Sequence, residues 1–403
     1  MRILHTSDWH LGRTLHGVDL HGAHETFVDH LVELVRAEDV DAVVVAGDVY
    51  DRAVPPVASV ELLSDALGRL SALTRVVVTP GNHDSATRLG FGAGLYRDRL
   101  SVRSQVSGIA EPVEIPDADG GPGLLVYALP YLDPDMSRDA LAGPETDGDG
   151  APLRPARSHE AVTAAALRRV RADLDARRAA ATARVPAVLL AHAFVTGGAA
   201  SESERDIRVG GVDSVPSGVF GPADGLDYVA LGHLHGPQRV GREGTDPVMR
   251  YAGSPLAFSF SEARHHKSTA LVDLGPDGVR GVDLVPAPVP RPLADVTGTL
   301  EELLGPAFDD RAESWLRVTV TDDVRPGELW ARLVRRFPHA LVVQHHPARA
   351  RERAQSRAVT AAEDPLEVAA QFLEAAGGRA ADPAELAVLR TAYESVLATQ
   401  RSA

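Results

Sequence analysis

The chain contains no cysteine. Disulfide frameworks and thiolate metal sites are thereby excluded, so any metal must be held by imidazole, carboxylate or amide groups. Lysine is almost absent as well: among 41 basic residues only Lys267 is a lysine. No apolar run approaches the roughly 20 residues that cross a bilayer, so no membrane association is expected. The N-terminus, MRILHTSDWH, lacks the apolar stretch of a signal peptide and runs straight into a strand. Cytoplasmic location is the expectation. A basic excess is missing too: 41 Lys and Arg stand against 56 Asp and Glu, a net charge of −15. Nucleic-acid binders are more often basic. An acidic chain can still reach phosphate through metal ions or local arginines, and Arg13, Arg52 and Arg88 are the candidates for contact with a nucleic-acid phosphate.

What is present fits a soluble protein of two or three domains. The 403 residues are 44% apolar and 24% charged. RILHTS (2–7), DAVVVA (41–46) and RVVVT (75–79) read as buried strands. Between them, residues 25–39 and the segment carrying Val60, Leu63, Leu67 and Leu70 have helical apolar spacing. This β–α–β–α–β run predicts parallel strands with crossover helices. In such sheets ligands bind beyond the carboxyl ends of the strands. Further strands are expected at 124–132, 186–191 and 227–231, with an Ala/Arg-rich helix at 159–184 and a long loop at 133–158. Residues 248–253 and 268–274 read as closing antiparallel strands.

The proline-rich stretch 286–293 marks a boundary. The chain therefore divides into a domain at 1–285, a small α/β domain at 294–346, a basic linker at 347–362 and a helical segment at 363–403. The two terminal helices open alike, with Asp364-Pro365 and Asp382-Pro383 followed by Glu367 and Glu385. That is an N-cap aspartate, proline in the first turn and an acid in the capping-box position.

Five strand ends carry polar residues of ligand type: Asp8 and His10, Asp48, Asn82 and His83, His192, and His233 and His235. In Asp-x-His and His-x-His the alternation of an extended chain puts both side chains on one side. Any one of these is ordinarily a turn or a half-buried histidine. Five together, each at the end of a strand, are not a coincidence of turns. Leaving His83 aside, the set offers two carboxylates, one amide oxygen and four imidazoles. Seven mixed oxygen and nitrogen donors suit two divalent ions rather than one tetrahedral zinc. Asp48, central in the set, is the natural bridge. Two ions roughly 3.5–4 Å apart clamp the attacking and leaving oxygens of a phosphoryl displacement. His83 sits beside Asn82 with Asp84 next to it, a carboxylate able to orient the imidazole.

The ordered motifs HTSDWHLGR, GDVYDR, GNHDS, the lone His192 and GHLHGPQ resemble the calcineurin-like metallophosphoesterase superfamily. Its DNA-nuclease members are the nearer likeness, through VGGVDSVPSGVF and YAGSPLAFSFSE. The likeness covers residues 1–275; the last third matches only in layout. It implies a β-sandwich flanked by helices, a small α+β capping domain and C-terminal helices. It also implies Asp8, His10 and His235 on one ion, Asn82, His192 and His233 on a second, Asp48 bridging, and manganese as the metal. His83 and Asp84 would be catalytic, His83 facing the scissile phosphate. The implied activity is an ATP-dependent 3′-to-5′ exonuclease on duplex DNA and an endonuclease on single strands, in repair and recombination. The implied assembly is a homodimer joined through its C-terminal helices to an SMC-like ATPase. Archaeal and eukaryotic relatives carry histidine at the position of Asp51, which leaves a second leaving-group imidazole without a counterpart here. The rival readings are a metallophosphatase or cyclic-nucleotide phosphodiesterase on a small substrate, and a binding subunit without catalysis.

Overall fold

The structure is a computed structural model of the chain. It describes residues 1–96, 99–143, 146, 150, 152–208, 214–222, 225–347, 365–377 and 382–401. The chain begins with Arg2–Thr6 (β1), His21–Ala37 (α1), Ala42–Ala46 (β2), Val57–Leu73 (α2), Arg75–Thr79 (β3) and Leu100–Val102 (β4), the four strands lying parallel. Val113–Pro116 (β5), Pro122–Ala128 (β6), His159–Ala180 (α3), Ala187–His192 (β7), Tyr228–Gly232 (β8), Gln238–Val240 (β9) and Val248–Tyr251 (β10) follow. Ser268–Gly275 (β11) and Gly278–Pro286 (β12) form a hairpin that returns to β1.

These strands make two six-stranded sheets, ordered β12-β11-β1-β2-β3-β4 and β9-β10-β8-β7-β6-β5. They face each other across a layer that includes Ile3, Val44, Val77, Val126, Leu190 and Ala230. On the outer face of the first sheet, Phe27, Leu31, Leu63 and Leu67 of α1 and α2 pack on Leu4, Val43 and Val76. On the outer face of the second, Val162, Leu167 and Val170 of α3 pack on Tyr127, Leu189 and Val229. Burial on both faces is why β2 reads as an unbroken apolar run with every residue buried. The sheets approach closely where β2 and β8 end: a Cβ on Gly232 would lie 1.8 Å from the Ala46 carbonyl oxygen. Only glycine permits that approach.

One expectation is corrected. Residues 248–251 run parallel to β8, Tyr228 opposite Val248, and antiparallel only to β9. The unanticipated short strand β9 turns back through Gly241, at φ 86°, so β10 slots between β9 and β8. By contrast, β11 is antiparallel to β1, with Ile3 opposite Val272.

Leu293–Gly298 (β13), Trp315–Val320 (β14), Leu329–Arg336 (α4) and Ala340–His345 (β15) come next, with a sheet in the order β13-β14-β15. Pro365–Gly377 (α5) and Pro383–Arg401 (α6) close the described chain. Asp382 caps α6, its Oδ1 accepting from the Ala384 and Glu385 amides at 2.9 Å each. The matching cap Asp364 and the basic linker from residue 348 onward lie outside the described residues. By compactness the chain forms two units. One holds Met1–Val296 with Asp309–Arg317 and Arg336–Val342; the other holds Thr297–Phe308, Val318–Arg335 and Val343–Ala403. No helix among the described residues is long and apolar enough to cross a membrane.

Two buried histidines outside the candidate site make the fold sensitive to acid. His5 bonds to the Tyr228 hydroxyl at 3.0 Å, and His24 Nε2 donates to the Trp9 carbonyl at 2.9 Å. Burial drives His5 down to about 3 and His24 to about 4. The unfolded chain therefore takes up protons near pH 6.5 that the folded chain refuses. Their stabilising contribution is complete above pH 6.5 and falls as pH drops from there toward 4, at about 1.4 kcal/mol per pH unit for each group. Denaturant unfolding at pH 7, 6 and 5 should show a shallower decline in His5→Gln than in the wild type. Equal slopes would refute the assignment.

Candidate metal centre

The loop after β1 supplies Asp8 and His10, the loop after β2 supplies Asp48, and the loop after β3 supplies Asn82 and His83. The second sheet supplies His192 at the end of β7, and His233 and His235 just past β8. All the strands concerned end at the same edge, as parallel connections require. Asp8, His10, Asp48 and His233 hold φ of 54°, 47°, 49° and 108°. Left-handed backbone at four non-glycine residues costs free energy that the surrounding fold must offset, and such strain concentrates at functional sites.

The side chains converge into three overlapping groups with donor atoms within 4.8 Å of one another: Asp8, His10 and His235; His10, Asp48 and His83; and Asp48, His192 and His233. His10 Nε2 and His235 Nε2 face each other at 3.0 Å. Asn82 Oδ1 lies 2.9 Å from His192 Nε2 and 3.1 Å from His233 Nδ1. Asp48 Oδ2 lies 3.3 Å from His192 Nε2 and 3.7 Å from His10 Nε2, between the two halves. The seven residues first read from the sequence are thus brought together.

The donor set fits divalent cations. Imidazole nitrogens, carboxylate oxygens and an amide oxygen turned toward one another are the mixed donors that divalent cations take. His192 Nδ1 donates to the Ala46 carbonyl at 3.0 Å, which leaves Nε2 as the inward donor atom. The electrostatics agree. Burial pushes the Asp8 carboxyl up to about 6 against the pull of His192 and His235. Burial would lower His192, but Asp48 and Asp8 outweigh it and raise the imidazole to about 9. Burial and the neighbouring His192 push His233 down to about 3. Burial opposes ionisation of Asp48, yet His192 and His10 hold it well below the usual carboxylate range. Opposed shifts within one buried cluster mark a functional site.

His83 stands at the edge of the cluster, its ring centre 4.6 Å from that of His10. Its Nδ1 donates to the Asp51 carbonyl at 2.7 Å, and its backbone amide donates to Asp48 Oδ1 at 2.8 Å. Here the structure corrects a second expectation. Asp84 does not orient the His83 ring; its carboxylate accepts from the amides of Gly81, Val49 and Tyr50 at 2.9, 3.0 and 2.8 Å. Three convergent N–H groups from two loops outcompete a neighbouring imidazole. Asp84 thereby ties the loop that carries Asp48 to the loop that carries Asn82.

The arginines are placed variously. Arg13 is half-buried, donating to the Ser203 carbonyl at 2.7 Å and lying 4.9 Å from the Phe258 ring centre. Arg52 and Arg88 are exposed, and Arg88 donates to the Ala53 carbonyl at 3.0 Å. Sequence reading missed a group around His235: Ser203, Glu204, Glu262 and Lys267. The available signals were the charged segment 202–208 and the solitary lysine beside YAGSPLAFSFSE.

The chain belongs to the calcineurin-like phosphoesterase family, whose model matches residues 1–237. Members of that family work with divalent metal ions. A second family model, the SbcD C-terminal domain, described as the type 5 capsule protein repressor C-terminal domain, matches residues 289–376. The two matches in this order define an SbcD-type metallophosphoesterase. Among solved structures, a dimetal phosphatase from Danio rerio is 13% identical, with TM-score 0.41, over 72% of this chain and 99% of that one. The protein TT1561 of Thermus thermophilus is 13% identical, with TM-score 0.37, over 71% and 99%. The phosphopantetheinyl hydrolase of Mycobacterium tuberculosis is 16% identical, with TM-score 0.34, over 63% and 89%.

Proposed function

We propose that the chain is the two-metal DNA nuclease subunit of a complex with an SbcC-type ATPase, acting in DNA repair and recombination. The observation that carries this is the convergence of six imidazole and carboxylate donors with the Asn82 amide oxygen, in a chain whose next segment matches the SbcD C-terminal family. Asp8, His10 and His235 would hold one ion, Asn82, His192 and His233 the other, and Asp48, between the two halves, would serve both. When bound, the ions, manganese in this reading, supply Lewis-acid stabilisation of charge on the phosphate. The residues of the chain do the rest. Asp48 also fixes the His83 amide, setting that loop against the metal centre. His83, with Nδ1–H committed to the Asp51 carbonyl, turns Nε2 to the substrate, and as the imidazolium it gives the Nε2 proton to the leaving oxygen and is left neutral. Arg13, Arg52 and Arg88 give the local positive charge that a chain of net charge −15 otherwise lacks.

In this reading residues 1–285 form the nuclease domain, 294–346 the capping domain, 347–362 the linker and 363–403 the partner-binding segment. Phe372, 70% exposed on α5, supports helix-in-groove docking of the terminal helices on the ATPase. Phe91 and Leu95, 83% and 77% exposed, support a second copy of the chain as the partner of that separate apolar patch.

End-labelled duplex DNA incubated with the purified chain and Mn²⁺ should be shortened, and a chelator should stop it. Deleting residues 360–403 should abolish co-purification with the ATPase and leave manganese-dependent hydrolysis of short substrates nearly intact. Sedimentation of the full chain should give a dimer. Intact duplex alongside hydrolysis of a small chromogenic diester would instead favour a small-substrate phosphoesterase. Binding of DNA without turnover would favour a binding subunit.

A further inference from the structure

Lys267 is the only lysine of the chain and it is buried. Its ammonium has three acceptors: Glu262 Oε2, Ser254 Oγ at 2.8 Å and the His235 carbonyl oxygen at 2.9 Å. Three donors on a compact charge match three acceptors around it. A planar guanidinium would not fit such a cup, which explains a lysine in a chain that uses arginine everywhere else.

Glu262 passes the contact on. Its Oε1 accepts from the Ser203 hydroxyl at 2.6 Å and from the Phe258 amide at 3.0 Å. Since the Ser203 proton goes to Glu262, Ser203 Oγ accepts from His235 Nδ1–H, at 2.6 Å. That fixes the tautomer of His235 and leaves Nε2 bare, facing His10. Backbone contacts hold the same residue from other sides: the His235 amide donates to Glu204 Oε1 at 2.8 Å, and the Ser254 amide donates to the His235 carbonyl at 3.2 Å. Glu262, Ser254, Ser203 and His235 are all buried, so the chain of contacts is shielded from water.

We propose that Lys267 is a positioning residue for the metal centre: through Glu262 and Ser203 it holds His235 in the one tautomer and orientation that presents Nε2 to an ion. This rests on the reading of His235 as a ligand. Among the described residues nothing equivalent surrounds the other half of the centre, where His192 is fixed by the Ala46 carbonyl. The relay therefore acts on the ion held by Asp8, His10 and His235, and not on the one held by Asn82, His192 and His233.

The test is Mn²⁺ titration of the full chain followed by electron paramagnetic resonance, which separates one bound ion from a spin-coupled pair. The wild type should bind two ions. Losing one partner leaves Glu262 charged, buried and unpaired, so the informative variant is the double change Lys267→Met with Glu262→Gln. Ser203→Ala, which breaks the relay without touching the ion pair, is the second. Both should keep one site at wild-type affinity and weaken the other about 10- to 100-fold, with loss of the coupled signal at limiting manganese. Lys267→Arg should not restore it. Unchanged affinity at both sites in both variants overturns the proposal, as does an equal loss at both sites, which a merely structural role would give. A wild-type chain that binds fewer than two ions refutes the ligand assignment itself, a failure visible before any variant is made.

Discussion

Asp48→Ala should bring DNA hydrolysis down to background and leave the chain unable to hold two ions together. Asp48 reaches both halves of the centre, at 3.3 Å from His192 and 3.7 Å from His10. It also accepts the His83 amide at 2.8 Å. In the proposed reading, removing it would take the bridging anion from between the two ions, and it would remove one of the contacts that hold the loop carrying Asn82. His10→Ala and His235→Ala leave the donors Asp48, His192 and His233 in place, so they should chiefly empty one site. The check is metal content per chain alongside turnover, with melting in chelator as a control for folding. Two tightly bound ions in Asp48→Ala, or residual activity close to wild type, would sink the bridging role.

His83→Ala should behave differently, with both ions and DNA affinity retained and the rate about 10²- to 10⁴-fold lower, the usual contribution of a positioned general acid. The reason is geometric. His83 lies against His10, but its Nδ1 is committed to a main-chain carbonyl, so the imidazole is oriented for proton transfer through Nε2. Single-turnover hydrolysis at saturating manganese measures the chemical step directly. Wild-type rates there would remove His83 from the reaction, whereas loss of bound metal would recast it as a ligand.

The seven donors were legible because each lies at or within a few residues past the end of a strand, and parallel strands deliver their ends to one edge. Local sequence carries that information without any knowledge of packing. The role of Asp84 was not legible. In the sequence its obvious partner is the adjacent imidazole, and the three amides that claim it become available only once two loops are folded together. The Lys267 relay was hidden for a similar reason. Ser203 and Glu262 are 59 residues apart, and Lys267 and the His235 carbonyl are 32 apart. The direction of β10 turned on a three-residue edge strand too short to show an alternating pattern. Buried strands, by contrast, announced themselves as apolar runs, since both faces of each sheet are covered.

The pairing of β1 bears on how the polypeptide matures as it leaves the ribosome. One edge of β1 is taken by β2, where Ile3 lies opposite Ala42, but the other waits for β11, with Ile3 opposite Val272 and the terminal amino group donating to the Leu274 carbonyl. Until residue 275 has emerged, the N-terminal strand keeps an open row of unpaired amides and carbonyls, a template for sticking to another nascent chain. Every proposed ligand has been synthesised by residue 235, yet the sheet that aims four of them is still incomplete at that point. A fragment ending at residue 237, where the family match stops, would contain all the metal chemistry and lack the hairpin that seals it. The β11–β12 hairpin is therefore the element that closes this sheet, and it is made only after every proposed ligand.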